Sequence, residues 1–204
     1  MLFPRIQTYF DSLDDRSIPE ERLKALNRFR SYILEKLDHS EIINLTFICT
    51  HNSRRSHLGQ VWAQVAAHYW GVPRVRCYSG GTEATACHPN TLDALTSAGL
   101  AVKKTTEGEN PVYELRYSEA ALPIVAFSKL YDQAPNPTND FAAIMTCDHA
   151  EKNCPYISGA QSRIAITYAD PKEADGTPLE KQAYEERSEQ IAAEMRYVFS
   201  NLPV

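Results

Sequence analysis

Three residues that could do chemistry together lie close to one another in the chain. Cys49 is followed, after five intervening residues, by Arg55 and Ser56. A thiolate is a strong nucleophile, and a guanidinium can bind a tetrahedral oxyanion through two parallel hydrogen bonds, which an ammonium group cannot match. A serine next to that arginine can donate a hydrogen bond to the thiolate and help to begin a helix. The spacing therefore predicts a cysteine that attacks a bound oxyanion.

A strand and a helix are predicted on either side of these residues. The short apolar run 45–48 indicates a buried strand, and apolar residues recur at helical spacing after Ser56. In a strand–loop–helix unit, the free N–H groups and the positive end of the helix dipole face the loop, which favours a thiolate and a bound anion. The alternative is a buried cysteine at a strand end, followed by an exposed basic patch. The apolar helix positions are Leu58, Val61, Trp62, Val65 and Tyr69.

The composition favours one cytosolic domain. With 204 residues, of which 43% are hydrophobic, the chain can bury one substantial core. The net charge of −5 argues against nucleic-acid or anionic-membrane partners. No apolar run could span a membrane, and Pro4, Arg5 and Asp11 stand where a signal peptide would need apolar residues. Five cysteines, an odd number, favour reduced functional thiols and a cytoplasmic location over a disulfide framework.

Strand and helix patterns alternate along the rest of the chain. Residues 1–40 form an extension with a helix predicted at Pro19–Leu37, where Ser17 and Glu20 have the spacing of a capping box. This order of elements predicts a single α/β domain over residues 1–204, with a doubly wound, mainly parallel sheet of about four strands flanked by helices. After the first unit, the predicted elements are a strand at Val75–Tyr78, a helix at Pro89–Ala98, strands at Phe141–Cys147 and Arg163–Tyr168, and a helix at Leu179–Asn201.

Residues 105–139 predict a β-rich insertion. Two short runs, 112–117 and 124–127, fit a β-hairpin or extra edge strands. Long loops of this kind commonly carry function. Aromatic residues of the insertion could line a substrate cleft, or they could serve only to pack the insertion. These residues are Tyr113, Tyr117, Phe127 and Tyr131.

The loop after Cys49 resembles the phosphate-binding loop of the low-molecular-weight protein tyrosine phosphatases and of their relatives, the thioredoxin-coupled arsenate reductases. Cys49, Asn52, Arg55 and Ser56 each match a position of that loop, and the segment 79–83 is similar to the family's Ser-x-Gly-Thr-Glu segment. His51 stands where the family usually has glycine, so its side chain could face the ligand or point outward. The oxyanion-binding residues that the resemblance implies are Thr50, His51, Asn52, Ser53, Arg54, Arg55 and Ser56.

The same resemblance implies a general acid at Asp170. Asp170 and Pro171 follow the last predicted strand, where the family holds the aspartate that protonates the departing oxygen. Without the resemblance, this dipeptide would indicate only a turn. Glu173 and Asp175 are weaker candidates for the same role.

A second pair of cysteines distinguishes between two possible functions, those of a reductase and of a phosphatase. Cys147 and Cys154 have six residues between them, and Pro155 follows. Thioredoxin-coupled arsenate reductases place two cysteines at this spacing after the third strand. The resemblance therefore implies that Cys49 attacks arsenate and that Cys147 attacks the sulfur of the adduct, which releases arsenite. Cys154 then resolves the Cys49–Cys147 disulfide, and thioredoxin reduces the final pair. The scheme uses no cofactor and no metal.

Other interpretations remain open at this point. Cys49 could form a phosphate intermediate that water cleaves, as in a phosphatase acting on phosphotyrosine or small phosphate esters. Cys147 and Cys154 would then protect Cys49 from over-oxidation or be incidental, and they could also be two unlinked cysteines. A third interpretation is a non-catalytic sensor in which Cys49 binds anions or is oxidised without turnover. Cys77, Cys87 and His88 invite comparison with a metal site, although they lack a close cysteine pair.

Overall fold

Helices and strands alternate through most of the chain. The computed structural model describes residues 1–153, 156–200 and 202–203. Its helices are α1 (Pro4–Ser12), α2 (Glu20–Asp38), α3 (Arg55–Tyr69), α4 (Pro89–Ser97), α5 (Asp148–Asn153) and α6 (Glu180–Phe199). Its strands are β1 (Ile43–Cys49), β2 (Val75–Gly81), β3 (Ala101–Lys104), β4 (Tyr113–Arg116), β5 (Ile124–Ala126), β6 (Phe141–Met145) and β7 (Ala160–Ala165). No helix within these ranges is both long and apolar enough to cross a membrane.

The central sheet positions the predicted site. Its strand order is β2–β1–β6–β7, and all three pairs are parallel. The predicted doubly wound α/β fold is thereby confirmed. The chain passes from β1 to β2 on one side and later crosses to β6 on the other side of β1. The carboxyl ends of β1 and β6 therefore border the crevice where such sheets bind ligands.

The core explains why α3 lies against β1. Leu45, Phe47 and Ile48 are buried in β1. At Gly59 of α3, an added Cβ would lie 2.4 Å from the Phe47 ring, so only glycine lets the helix approach this closely. Trp62 is fully buried and donates from its indole nitrogen to Ser188 Oγ at 2.9 Å, which ties α3 to α6. These contacts fix the direction from which α3 meets the loop after β1.

The N-terminal helices cover apolar surface of this core. Phe10 of α1 stacks on Trp62 with ring centroids 6.3 Å apart, and Phe29 of α2 meets Phe47 edge-on at 6.2 Å. The predicted helix at Pro19–Leu37 is present as α2. Helix α1 was not predicted, because only two of its nine residues are buried and two positions do not establish a helical period.

The predicted capping box is wrong. Helix α2 begins after Pro19 without a side-chain cap, and the Ser17 hydroxyl donates instead to the Asp14 carbonyl oxygen at 3.2 Å. Strand ends also differ from the prediction. β2 continues to Gly81, because its last residues pair with β1 up to Cys49.

The insertion forms its own sheet. Strands β3, β4 and β5 pair antiparallel in that order and are separate from the central sheet. It begins at Ala101, earlier than the predicted boundary at 105. After β5, the chain contacts the central sheet through an isolated parallel bridge between Leu130 and Gly81. The insertion thus reaches the end of β2, next to the predicted site.

Candidate active site

Cys49 lies at the end of β1 with its thiol directed at the first turn of α3. It is 3% exposed, and its Sγ is 3.1 Å from Ser56 Oγ. Ser56 Oγ also accepts a hydrogen bond from Asn52 Nδ2 at 2.9 Å. Because that bond uses a lone pair of the oxygen, the hydroxyl hydrogen is available for the sulfur. The arrangement can stabilise a thiolate through a donated hydrogen bond.

The loop presents unpaired N–H groups. In the part of the chain that the structure describes, none of the backbone N–H groups of residues 50–57 donates a hydrogen bond. The loop carbonyl groups, in contrast, are taken up by neighbours outside the loop. Successive N–H groups with this property form a nest that suits an anion, and the helix dipole adds to it. The carbonyl oxygens accept at Thr50 from Glu83 N, at His51 from Ser128 Oγ, and at Ser53 from His88 N.

Asn52 sets the curl of the loop. It is fully buried and has a φ of 45°, a conformation that asparagine tolerates better than most residues. Its Oδ1 accepts from the backbone N–H of Lys129 at 3.0 Å. At Gly81, an added Cβ would lie 2.6 Å from Thr50 O and 2.8 Å from Asn52 N, so a side chain there would displace the loop. No pattern in the sequence indicates that Lys129 of the insertion holds this loop.

Arg55 and Asp170 lie together. Arg55 donates from Nη1 to the Tyr168 carbonyl oxygen at 3.0 Å and from Nη2 to Asp170 Oδ2 at 2.5 Å. Its Nε is buried and has no hydrogen-bond partner among the described residues. Asp170 Oδ1 accepts from Lys172 N at 3.2 Å and caps the 3₁₀ turn Pro171–Ala174. The predicted anion-binding arginine and the predicted acid are thus held side by side.

Two loop side chains point away from the nest. His51 is 43% exposed, and its Nε2 is 3.3 Å from Glu83 Oε2, so it takes the outward orientation. Arg54 donates from Nε to Tyr184 OH at 2.6 Å and from Nη2 to Asp175 Oδ2 at 3.1 Å. Asp175, one of the two weaker acid candidates, is therefore engaged with Arg54. Both loop residues can still contribute their backbone N–H groups to the nest.

Cys147 lies beside the loop. It follows β6, is 1% exposed, and packs in the same buried cluster as Cys49. Its Sγ is 3.5 Å from Thr50 Oγ1 and accepts from Ala150 N at 3.3 Å in the first turn of α5. His149 Nδ1 is 3.4 Å from the same threonine hydroxyl. Cys154 and Pro155 lie outside the described residues.

The aromatic residues of the insertion divide between two locations. Tyr113 and Tyr117 pack against the large core, and Phe127 lies under the Lys129 amine, 4.6 Å from the ring centroid. Tyr131 instead packs against the small cluster that contains Cys49 and Cys147. Of the four, it is the one in contact with the buried cluster around the thiols.

Cys77 and Cys87 are buried thiols. Burial raises the pKa of the Cys77 thiol, and it raises the pKa of Cys87 to about 12. His88 caps α4, where its Nδ1 accepts from Asn90 N at 3.3 Å. Within the described ranges, no three His, Cys, Asp or Glu side chains form a group that could hold a metal.

His57 is a buried titratable residue that the sequence pattern did not single out. It lies on α3 behind the loop, and its Nδ1 is 3.2 Å from Ser79 Oγ. Burial, with the Lys129 charge as a second cause, lowers its pKa to about 3. The imidazole is therefore neutral in the folded protein at any pH near neutrality.

We expect this imidazole to make the protein sensitive to acid. Its pKa is lower in the folded than in the unfolded chain, so its contribution to stability is complete above about pH 6.5 and is lost as the pH falls toward about 3. Between about pH 6.5 and 5 the loss is about 2 kcal/mol for one such group. Urea unfolding at both pH values should show that the free energy of unfolding falls more for the wild type than for His57→Gln. Equal losses would contradict the prediction.

Comparison with known proteins finds similar sequences and similar folds. No known family profile matches the sequence. An arsenate reductase of Halalkalibacterium halodurans is 28% identical over 138 residues, which cover 67% of this chain and 80% of the relative. The arsenate reductase of Bacillus subtilis strain 168 is 28% identical over 142 residues, 69% of this chain and 83% of the relative.

Solved structures of the same fold are more distant in sequence. A low-molecular-weight protein tyrosine phosphatase from T. tengcongensis superposes with a TM-score of 0.50 at 14% identity, covering 75% of this chain and 95% of that chain. One from Vibrio cholerae O395 gives 0.50 at 11% identity, with 76% and 93% covered. The fold is the one found in low-molecular-weight protein tyrosine phosphatases. In sequence, the chain is similar to arsenate reductases.

Proposed function

We propose that this protein is an arsenate reductase. Arsenate binds to the N–H groups of residues 50–56 and to Arg55. The Cys49 thiolate attacks arsenic, an S–As bond forms, and one oxygen leaves as water after Asp170 has protonated it. These are the roles that the residue types and contacts of this site suit, and the similarity to arsenate reductases supports them.

Reduction follows by thiolate exchange. The Cys147 thiolate attacks the sulfur of Cys49, so an S–S bond forms and the S–As electron pair passes to arsenic, which leaves as arsenite. Cys154 then attacks Cys147 and frees the Cys49 thiolate. We propose that thioredoxin reduces the Cys147–Cys154 disulfide and that the cycle operates in the reducing cytoplasm.

The observation that carries the proposal is the position of Cys147. Its thiol lies 3.5 Å from Thr50 Oγ1, the hydroxyl of the residue directly after Cys49. β1 and β6 are neighbours in the sheet, with Ile48 paired to Met145, so Cys49 and Cys147 both lie at the carboxyl ends of these strands. The chemical steps of a hydrolytic mechanism do not use a second thiol, whereas the proposed reductase mechanism needs one near Cys49.

A phosphatase is the second candidate. The Asp170 carboxylate is fixed at 2.5 Å from Arg55, which is where an acid could protonate the alcohol leaving from a phosphate ester. In that case water would cleave a Cys49–phosphate intermediate, and Cys147 would take no part in turnover.

One assay separates the two functions. We expect arsenate to cause thioredoxin-dependent oxidation of NADPH through thioredoxin reductase, and we expect Cys49→Ser, Cys147→Ser and Cys154→Ser each to abolish it. The matched control is Cys77→Ala, because Cys77 is also buried but lies within β2, away from the loop. This control should retain turnover.

Other outcomes of that assay point elsewhere. Aryl phosphate hydrolysis that survives Cys147→Ser, without arsenate-dependent use of NADPH, would establish the phosphatase. A folded protein with neither activity would indicate a sensor of anions or oxidants.

A further inference from the structure

Arg22 of the N-terminal extension contacts the segment that carries the predicted acid. Its Nη1 donates to the Thr167 carbonyl oxygen at 2.8 Å, and its guanidinium carbon lies 4.5 Å from the centre of the Tyr168 ring. A planar guanidinium can hold both contacts at once, since it donates in its plane and stacks through its face. Arg22 therefore contacts two consecutive residues after β7, Thr167 and Tyr168.

The guanidinium is itself held in place by α6. Its Nε and Nη2 donate to the two carboxylate oxygens of Glu194 at 2.8 and 2.9 Å. The Tyr168 hydroxyl donates to the same carboxylate at 2.7 Å. Glu194 is 2% exposed and Arg22 is partly buried, so the ion pair and the Tyr168 hydroxyl form one network in which each charge has its partner.

The other side of this segment faces the site. The Tyr168 carbonyl oxygen accepts from Arg55 Nη1, and two residues later Asp170 accepts from Arg55 Nη2. On the sheet side, Tyr168 N donates to the Thr146 carbonyl oxygen at 3.1 Å. The segment 167–170 is thus fixed from the sheet, from α2 and α6, and through Arg55.

We propose that Arg22 is a positioning residue for Arg55 and Asp170, so that the N-terminal extension is a working part of the active site. The proposal rests on the proposed function, in which Arg55 binds the oxyanion and Asp170 is the acid. Displacement of a catalytic group by about 1 Å can lower a rate by about 10²-fold. By fixing the Tyr168 carbonyl group that accepts from Arg55, Arg22 therefore controls the affinity of the site for an oxyanion.

The test compares two arginines of the same helix. Arg30 also lies on α2, donates to the Ser200 carbonyl oxygen, and stacks over Tyr197 at 5.3 Å, without contact to 167–170. Arg22→Gln and the matched Arg30→Gln are compared by titration calorimetry with inorganic phosphate. Since Arg22→Gln leaves a buried carboxylate unpaired and could fail to fold, the double variant Arg22→Gln/Glu194→Gln is measured too. Hydrogen exchange of residues 166–175 is recorded for all.

We expect both Arg22 variants to bind phosphate about tenfold more weakly and the backbone amide hydrogens of residues 166–175 to exchange faster in them. The phosphate affinity of Arg30→Gln should stay within about twofold of the wild type. Partial unfolding would lower the number of sites per chain rather than the affinity, so the readout separates positioning from mere stability. Unchanged affinity, or weaker binding with unchanged exchange, would overturn the proposal. If the wild type binds no phosphate, the proposed function fails, and unchanged exchange in the Arg22 variants would then refute the positioning role on its own.

Discussion

Replacing Arg55 by lysine should lower kcat/KM for the oxyanion substrate by roughly 10³-fold, because one positioned donor to a developing oxyanion contributes about 10²–10³-fold and lysine loses the paired geometry as well. Arg55 is set for this role by its contacts to the Tyr168 carbonyl oxygen and Asp170. Its buried Nε, which has no partner among the described residues, can donate to a bound anion. A lysine ammonium carries its three donors on one nitrogen, so it cannot reproduce the spread of the guanidinium contacts and also bind the anion in the paired geometry.

The matched control is Arg54→Lys. Arg54 is adjacent in sequence and carries the same charge, yet its guanidinium is engaged with Tyr184 and Asp175. We expect it to change kcat/KM by about tenfold or less. Steady-state kinetics with arsenate, or with an aryl phosphate if the protein is a phosphatase, would measure both. Equal losses in the two variants would show that the loop needs positive charge in general rather than the geometry of Arg55.

Replacing Asp170 by asparagine should slow the chemical step by about 10²–10⁴-fold while phosphate still binds. The amide keeps the size of the carboxyl group, and it can still accept from Lys172 N to cap the 3₁₀ turn. It cannot give up a proton to the departing oxygen. Removal of a negative charge beside Arg55 also favours binding of the anion, so the affinity for phosphate should be equal or higher.

Single-turnover kinetics and phosphate calorimetry would separate these two effects. The control is Asp175→Asn, since Asp175 is held by Arg54 and Tyr184 rather than by Arg55. If Asp175→Asn were the slower variant, the acid would be assigned to the wrong aspartate. A parallel loss of rate and of binding in Asp170→Asn would instead mean that Asp170 serves to hold Arg55.

The stretch from β1 into α3 was predictable because its signals are local. A buried apolar run, a loop and a helical period lie within 27 consecutive residues, from Ile43 to Tyr69, and each follows from the side chains themselves. The doubly wound sheet followed from the order of such units. Helix α1 escaped prediction because nine residues with two buried positions carry too weak a period.

The hydrogen bonds that hold the site in place join residues that are distant in sequence. Lys129 reaches Asn52 across 77 residues, and Arg22 reaches Glu194 across 172. The inward or outward choice for His51 and Arg54 was likewise made by Glu83, Tyr184 and Asp175, which lie on other elements. No local pattern encodes such pairs.

The sequence by itself determined the residue types of the loop, the strand and helix around it, and the class of fold. Only the tertiary structure decided that Cys147 lies beside Thr50, that the insertion holds the loop, and that the N-terminal extension grips the segment bearing Asp170. The physical reason is that periodicity reports which face of an element is buried. Which side chains then meet is set by how whole elements pack, and that depends on all of them at once.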